Sequence, residues 1–393
     1  MANSDTISAD PDNIVEYIFK SAVDMKASDV HLEPSREGLS VRLRIDGMLY
    51  PLENLTQYPQ EETISRLKVL AELNIMEKRL PQDGRIEFEY NGVLCNFRIS
   101  TTPTIYGEAV VLRVLNREAG IIGLEQIGFS ESQLELVRRV VTSPFGMVIT
   151  TGPTGSGKTT FMYSMLSSIN RPERNIVTLE DPVEFQFKNV RQMQINEAIS
   201  WTFSKAMRAV VRQDPDVIMI GEIRDADTAQ MAFQAALTGR LVFSTFHTFD
   251  VPGLIIRLIE MGLPRSVVAH TITAVMSCRL VRKTCAVCAQ VYPAGEVEKK
   301  VFKERVEQIV FKKGAGCQTC HNTGYIGRIG IFEIVYFDEE IRSNIMEEKP
   351  SLSLRNLIDK KEIETLYFSA MAKVESGLTT VEELVRTLGL PLK

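Results

Sequence analysis

The chain has 393 residues, of which 44 % are apolar and 24 % are charged, close to the average for a globular protein. This balance excludes a disordered, collagen-like or disulfide-scaffold chain, and at roughly 150 residues per domain the length predicts two or three domains. The net charge of −5 weighs against a protein that coats nucleic acid. No apolar run reaches the roughly 18 residues that span a bilayer. The polar, acidic start of the chain is also unlike a signal peptide, so a cytosolic protein is predicted.

The first third of the chain alternates between helical and strand-like patterns. Helices are predicted at residues 13–25 and 63–73, and strands at residues 28–33, 39–45, 48–50, 85–90, 93–100 and 108–115. The dipeptide Asn91-Gly92 favours a tight hairpin between two of these strands. After an N-terminal tail of residues 1–11, residues 12–115 are therefore predicted to form an α+β domain. A linker without clear periodicity follows at residues 116–124.

The remainder of the chain, residues 125–393, has the pattern of an α/β domain. Short apolar runs lie between helical segments at Met147–Thr151, Ile176–Glu180, Val217–Ile220 and Leu241–Thr245. Strands that alternate with helices indicate a parallel sheet covered by helices on its faces.

A glycine-rich loop follows the first of these strands. Residues 152–159 match the pattern G-x-x-x-x-G-K-[ST], in which backbone N–H groups surround phosphate oxygens. A plain glycine turn is the alternative, but a strand before the loop and a helix after it favour nucleotide binding. Lys158 is predicted to reach the β- and γ-phosphates, and the Thr159 hydroxyl to ligate Mg²⁺. The predicted nucleotide-binding residues are Gly152, Pro153, Thr154, Gly155, Ser156, Gly157, Lys158, Thr159 and Thr160.

Carboxylates follow two of the other predicted strands. Glu222 comes after the strand at residues 217–220, with Gly221 where a Mg²⁺-linked aspartate is usual. Glu180 and Asp181 end the strand before it in the chain. Glu222 suits the activation of water, and Glu180 or Asp181 suits the water shell of Mg²⁺. A helix cap or a surface charge is the alternative for each carboxylate, and the sequence leaves the division of roles open.

One of only four histidines, His247, follows the last of the predicted parallel strands. Ligands bind at the carboxyl ends of parallel strands, which makes His247 a candidate sensor of the γ-phosphate. A lone histidine is more often structural, so this prediction depends on the sheet.

Four of the six cysteines form two C-x-x-C pairs. In a cytosolic protein such pairs favour a shared zinc ion over disulfides, although four reduced thiols in turns are the alternative. The separation of the pairs by residues 289–316 requires a long excursion between the two turns. The predicted zinc ligands are Cys285, Cys288, Cys317 and Cys320.

These motifs, in this order, resemble the secretion ATPases of type II secretion and type IV pilus assembly (GspE/PulE/PilB-like). The resemblance covers about residues 12–390. The segments that carry it are Ala27–Pro34, Arg42–Gly47, Leu80–Arg85, Gly152–Thr159, Glu180–Glu184, Arg212–Val217, Gly221–Asp225, Thr245–Thr248, Arg279–Arg282 and Gly324–Ile331. The glycine before Glu222 is usual in this family.

The resemblance implies an architecture and a set of partners. It implies a RecA-like P-loop NTPase domain after a PAS-like (N2-type) α+β domain, with a zinc element at residues 281–335 and C-terminal helices at 336–393. It further implies a homohexamer that binds ATP between the two domains, with Arg85, Arg98 and Arg113 completing the site. An inner-membrane platform protein would be its partner, giving peripheral membrane association without direct nucleic-acid contact.

The sequence departs from the family pattern in three respects. The larger members carry an extra N-terminal docking domain, whereas this chain begins almost at the second domain, which predicts either its absence or a trimmed chain. Phe249 stands where a small polar residue is common, and Cys278 stands where Gln is common.

The function predicted from these features is ATP hydrolysis that powers pilin or pseudopilin assembly. A pilus-retraction motor is the nearest alternative, but such motors generally lack the paired cysteines. A DNA-uptake or conjugation-type translocase is disfavoured by the acidic balance and by the lack of a basic-aromatic stripe. Intact Lys158 and Glu222 argue against a scaffold that binds ATP without hydrolysing it.

Overall fold

The structure is a computed structural model that describes residues 11–52, 59–115, 121–347 and 350–390. The contacts divide the chain into two compact units, residues 1–120 and 121–393. Most of the predicted N-terminal tail and the first part of the predicted linker, residues 116–120, lie outside the described residues. No helix of the described residues is both long and apolar enough to cross a membrane.

The first unit combines helices with one antiparallel sheet of order β3-β2-β1-β6-β5-β4. In chain order its elements are α1 (Pro11–Asp24), β1 (Asp29–Ser35), β2 (Gly38–Ile45), β3 (Met48–Pro51), α2 (Gln60–Leu70), β4 (Gln82–Tyr90), β5 (Val93–Thr104) and β6 (Gly107–Leu115). The predicted elements are all present, with ends shifted by a few residues.

Alternation of side chains gives this sheet one apolar and one charged face. In β1, Val30 and Leu32 are fully buried, whereas His31 and Glu33 point to the opposite face, because successive residues of a strand alternate. Helices α1 and α2 supply Ile18 and other apolar side chains to the same core as the buried strand residues. The opposite face is left to the charged side chains.

The second unit contains a seven-stranded sheet of order β15-β12-β7-β11-β10-β8-β9. Its elements are α3 (Glu131–Val141), β7 (Gly146–Thr151), α4 (Lys158–Ile169), β8 (Ile176–Glu180), β9 (Val190–Gln194), α5 (Phe203–Val210), β10 (Val217–Ile220), α6 (Ala226–Leu237), β11 (Leu241–Phe246), α7 (Val251–Glu260), α8 (Arg265–Thr271), β12 (Ile272–Thr284), β13 (Ala289–Val291), α9 (Glu296–Phe302), β14 (Lys312–Gly314), β15 (Tyr325–Tyr336), α10 (Glu339–Ile345), α11 (Pro350–Lys360), α12 (Leu366–Glu375) and α13 (Val381–Leu388).

Six strands of this sheet run parallel, and β15 pairs antiparallel with β12. The strands β7, β8, β10 and β11 are buried along their whole length, which explains why they read as continuous apolar runs. Helices α3 and α4 contribute to the core on one face of the sheet, and α5 to α8 contribute to the core on the other. The predicted α/β fold is confirmed.

Strands β12 and β15 are much longer than the other strands of their sheet. Only residues 272–277 of β12 pair with β7, while residues 274–284 pair with β15. The two strands therefore continue beyond the sheet toward the cysteines. Helices α9, α12 and α13 form a separate core around this extension with Val281 and Ile331.

Candidate active site and metal centre

The glycine-rich loop joins β7 to α4 at the carboxyl edge of the parallel sheet. Gly152, Gly155 and Gly157 have φ angles of 155°, 77° and 89°, which L side chains rarely adopt. A Cβ atom at Gly152 would lie 2.5 Å from Ser156 Oγ and 2.7 Å from the carbonyl oxygen of Cys278. The loop can therefore curl tightly, and the first N–H groups of α4 are available for an anion.

The ammonium group of Lys158 lies inside this loop. Lys158 is 8 % exposed, and its Nζ donates to the carbonyl oxygens of Gly152 at 2.7 Å and Pro153 at 2.9 Å. Burial lowers the pKa of Lys158. Thr159 and Thr160 follow Lys158 in the first turn of α4. The residues predicted to bind phosphate and Mg²⁺ therefore lie in one short segment.

His247 connects Lys158 to Glu222. The Nζ of Lys158 is 3.5 Å from His247 Nδ1, and His247 Nε2 is 3.2 Å from Glu222 Oε2. A lysine can only donate, so a neutral His247 in this arrangement carries its proton on Nε2 and donates it to Glu222. The hydroxyl of Thr245 donates to the carbonyl oxygen of Gly221 at 2.6 Å, which ties together the two strand ends that carry His247 and Glu222.

Arg224 is a partner of Glu222 that the sequence analysis did not single out. Its guanidinium donates to Glu222 Oε1 at 2.5 Å and lies 3.7 Å from a carboxylate oxygen of Asp181. Burial raises the pKa of Glu222, but the hydrogen bond and charge of Arg224 and the proximity of His247 outweigh it, so the net pKa is lowered. Glu222 is therefore an ionised acceptor at neutral pH. Arg224 lies two residues after Glu222 within the segment Gly221–Asp225 that carries the family resemblance, but nothing in the sequence assigned it a role of its own.

Glu180 occupies a buried network of its own at the end of β8. Its carboxylate accepts hydrogen bonds from Tyr163 OH, from Thr178 Oγ1 at 2.6 Å and from Gln192 Nε2 at 3.0 Å. Burial and the neighbouring carboxylate raise the pKa of Tyr163, which keeps its hydroxyl a donor. Within the described residues, no hydrogen bond joins Glu180 to Glu222, although β8 and β10 are adjacent. Nothing in the sequence pointed to Tyr163.

The three predicted arginines lie side by side in the first unit. Arg85 pairs in register with Arg98, and Arg98 with Arg113, so all three share the face of the sheet opposite the helices. Arg113 Nε donates to Asp29 at 3.1 Å, and Arg98 is 3.9 Å from Asp83. The side chains of Arg98 and Arg113 are 56 % and 67 % exposed. The three arginines form a row of positive charge on the sheet, which Asp29 and Asp83 neutralise in part.

The four predicted zinc ligands meet beyond the end of β12. The sulfur atoms of Cys285 and Cys317 are 3.9 Å apart, those of Cys288 and Cys320 are 3.8 Å apart, and those of Cys317 and Cys320 are 3.7 Å apart. All four atoms lie within 4.8 Å of one another. A tetrahedral site with Zn–S bonds of about 2.3 Å requires sulfur separations of ~3.8 Å, so the thiols fit a zinc ion.

Glycines allow the backbone on the two sides of the second cysteine pair to approach closely. A Cβ atom at Gly314 would lie 2.1 Å from the carbonyl oxygen of Gly324, and Gly316 and Gly324 have φ angles of 93° and 77°. The excursion between the turns contains the two-stranded sheet β13-β14. The described residues contain this one group of metal-ligating side chains.

Comparison with known proteins places this arrangement in a family. The model of the family "Type II/IV secretion system protein" matches residues 8–386. The type IV pilus assembly ATPase PilB of Thermus thermophilus is 40 % identical over 95 % of this chain and 42 % of its own length. The type II secretion system ATPase E of Vibrio cholerae is 37 % identical over 98 % of this chain and 77 % of its own length.

Among solved structures, the pilus retraction motor PilT with bound ADP is similar over 95 % of this chain and 96 % of its own. The TM-score is 0.62 and the sequence identity is 27 %. The chain thus spans less than half the length of one curated relative and nearly the whole of this structural one.

Proposed function

Because the chain belongs to the type II/IV secretion system protein family, we propose that it is an ATPase that powers the assembly of pilins or pseudopilins. The family match over residues 8–386 confirms the family predicted from the motifs. Two relatives are named ATPases, one of type IV pilus assembly and one of type II secretion. Their names support both the enzyme class and the process.

The observation that carries this proposal is the chain of polar contacts from Lys158 through His247 to Glu222. It places a cation inside the glycine loop and an ionised carboxylate two contacts away, across the edge of the sheet where ligands of parallel α/β domains bind. A phosphate-binding cation and a proton acceptor at this separation are the parts that hydrolysis of a phosphoanhydride requires.

In the proposed mechanism, the loop amides and Lys158 bind the phosphates, and Glu222 orients a water molecule in line with the γ-phosphorus. The water oxygen bonds to phosphorus as the bond to the β–γ bridging oxygen breaks. Glu222 accepts the proton of the water, and ADP leaves with the bridging oxygen. His247, between Lys158 and Glu222, responds to the γ-phosphate. A Mg²⁺ ion would be held by Thr159 and would neutralise phosphate charge.

Two substitutions test the proposal. Lys158→Ala removes the cation in the loop, so we expect loss of nucleotide binding and turnover. Glu222→Gln preserves shape but removes the proton acceptor, so we expect binding of ATP within a few-fold of wild type and a turnover rate lower by about 10²–10³-fold. Fluorescent-nucleotide titration and phosphate release measure the two quantities. Full turnover in Lys158→Ala would contradict the assignment of the loop.

The remaining predictions are part of the same proposal. The second unit is proposed to be a RecA-like domain, which the likeness to PilT supports, and the first a PAS-like domain. Cys285, Cys288, Cys317 and Cys320 are proposed to hold a structural zinc ion. The working form is proposed to be a homohexamer at the cytoplasmic side of the inner membrane, held there by a platform protein.

The likeness to PilT also favours a second candidate function, pilus retraction. The four-cysteine cluster favours assembly over retraction, because the resemblance places that element in the assembly ATPases. A nucleic-acid translocase is separated from both by measuring ATPase activity with and without single-stranded DNA. Strong stimulation by DNA would contradict the proposal.

A further inference from the structure

Arg279 is a buried cation that directly follows Cys278 on β12. Its side chain lies against the glycine loop and is 8 % exposed. Its Nη1 donates to the carbonyl oxygen of Cys278 at 2.8 Å, and its Nη2 donates to the carbonyl oxygen of Phe249 at 3.1 Å. Within the described part of the chain, no carboxylate lies within 4.0 Å of this guanidinium. Its hydrogen bonds therefore go to carbonyl groups, and its guanidinium carbon lies 6.0 Å from the centroid of the Phe249 ring.

The nearest acidic side chains serve a different arginine. Asp250 and Glu333 both contact Arg355, at 3.1 Å and 3.5 Å. They act on Arg279 only from a distance, and burial lowers the pKa of Arg279. A buried charge without a close counter-ion is unfavourable in itself. The binding of an anion nearby would offset this electrostatic cost.

The neighbouring cation of the loop has the same character. Lys158 is as deeply buried as Arg279, and its hydrogen bonds to protein oxygens also go to carbonyl groups. The two positive charges act on each other, and the charge of Arg279 contributes to lowering the pKa of Lys158. This edge of the sheet therefore carries two buried cations, and among the described residues neither is paired with a close negative charge.

Arg279 also links three segments of the candidate site. A Cβ atom at Gly152 would lie 3.2 Å from Arg279 Nη1, so the guanidinium rests against the first residue of the loop. Phe249, whose carbonyl oxygen it binds, is two residues after His247. One side chain thus joins β12, the start of the glycine loop and the segment after His247.

We propose that Arg279 is a positioning residue of the nucleotide site. It fixes the segment after His247 against the glycine loop, and it supplies a buried positive charge that the phosphates of a bound nucleotide neutralise. This inference rests on the proposed hydrolysis of ATP. The planar fork of an arginine can bridge two carbonyl groups that lie far apart in sequence, whereas a lysine keeps the charge but presents a point donor.

This difference between arginine and lysine separates the two parts of the role. Arg279→Gln removes the charge, and we expect the affinity for Mg-ADP to fall about tenfold, since a nearby buried charge acts at a low effective dielectric. Arg279→Lys keeps the charge, and we expect affinity within about threefold of wild type. Because the bridge to Phe249 is lost, kcat should fall about tenfold.

The experiment uses the full chain and a matched control. Lys283→Gln removes a charge from an exposed position on the same strand, and it should leave affinity and kcat unchanged. Dissociation constants for Mg-ADP, kcat and KM for ATP, and melting temperatures with and without pyrophosphate are measured for all four proteins. Pyrophosphate should raise the melting temperature of wild type and Arg279→Lys more than that of Arg279→Gln.

Several outcomes would overturn the inference. Equal nucleotide affinity and kcat in wild type and both variants would do so. An equal loss of melting temperature in both variants without a change in kcat or affinity would show a merely structural arginine. If Arg279→Gln does not fold, the kcat of Arg279→Lys decides. A wild-type chain that binds ADP in an Arg279-dependent way without hydrolysing ATP would support the positioning role and overturn the proposed function.

Discussion

At the scale of single residues, the buried carboxylate of Glu180 depends on a tyrosine from the neighbouring helix. Tyr163 OH donates to Glu180 and also accepts a hydrogen bond from the backbone N–H of Glu184 at 3.2 Å. The hydroxyl therefore fixes both the carboxylate at the end of β8 and the segment that follows it. Removing it would leave a buried acceptor with one partner fewer.

We expect Tyr163→Phe to lower the free energy of unfolding by about 1–2 kcal/mol, because it removes one hydrogen bond to a buried charged group. If Glu180, rather than Asp181, orients the water shell of Mg²⁺, kcat should fall as well, and the Mg²⁺ concentration for half-maximal rate should rise. Urea denaturation and a Mg²⁺ titration of ATPase activity measure these effects.

A matched control is Tyr292→Phe, which breaks the 2.8 Å hydrogen bond between Tyr292 and Glu298 in the excursion between the cysteine pairs. It should reduce stability without changing the Mg²⁺ dependence. The same Mg²⁺ dependence in Tyr163→Phe as in wild type would assign Glu180 a purely structural role.

The sequence predicted some of these residues and not others for a physical reason. Gly152, Lys158 and Thr159 lie within one short loop, where backbone geometry alone fixes their relationship, so a local pattern can specify them. Tyr163 reaches Glu180, and Arg279 reaches Phe249, only after distant segments have packed together. No spacing along the chain encodes such contacts.

At the scale of secondary structure elements, helix α12 is anchored to the rest of its unit by a buried lysine. Lys373 is 8 % exposed, and its Nζ donates to the carbonyl oxygen of Gly128 at 2.6 Å. Burial lowers the pKa of Lys373 to about 8. An unfolded lysine titrates near pH 10.4, so the unfolded chain binds more protons than the folded one between these values.

It follows that Lys373 makes stability rise with pH between about 8 and 10.4, by up to about 1.4 kcal/mol per pH unit. Below pH 8 both states are protonated and this dependence vanishes. We expect Lys373→Met to remove the contribution, so the difference in unfolding free energy between wild type and variant should change across this window. Chemical denaturation at pH 7, 8.5 and 9.5 measures it. A constant difference at all three values would contradict the prediction.

The cysteine cluster gives a second prediction at this scale. The four thiols have the separations of a tetrahedral zinc site, and metal binding contributes to the stability of such small elements. We expect about one zinc ion per chain by elemental analysis, lost in a Cys285→Ser/Cys288→Ser double variant that melts at a lower temperature. If the wild-type protein contained no metal and still folded stably, the four thiols would keep their arrangement without a metal ion.

The elements themselves were largely predictable, because alternation and apolar runs record which strands are half-buried and which are fully buried. Strand β9 and the long strands β12 and β15 were not predicted. Val190–Gln194 is half-exposed at the sheet edge, so it lacks the apolar run of a central strand. The outer ends of β12 and β15 stabilise each other, and a pattern within either segment cannot show this pairing.

At the scale of the whole molecule, the proposed hexamer makes a prediction about mass and activity. Wild type with Mg-ATP, or Glu222→Gln that retains ATP, should sediment as a species of roughly six times 44.2 kDa. ATPase activity per chain should increase with protein concentration if assembly completes the site. A monomer that remains fully active at every concentration would contradict a ring as the working form.

Strand β12 has a consequence for how disturbances travel through the second unit. It runs from Ile272, beside β7, past Cys278 at the glycine loop to Thr284, next to the first cysteine, with a shift of pairing register near each end. At about 3.3 Å per residue, the distance from Cys278 to Cys285 is about 23 Å. The strand is extended, and it is held by pairing with β7 at its first end and with β15 as far as its last residue. Weakening the structure at the cysteine end should therefore weaken the pairing of β12 toward the loop. A metal chelator should then raise amide hydrogen exchange near Cys278 without contacting that residue.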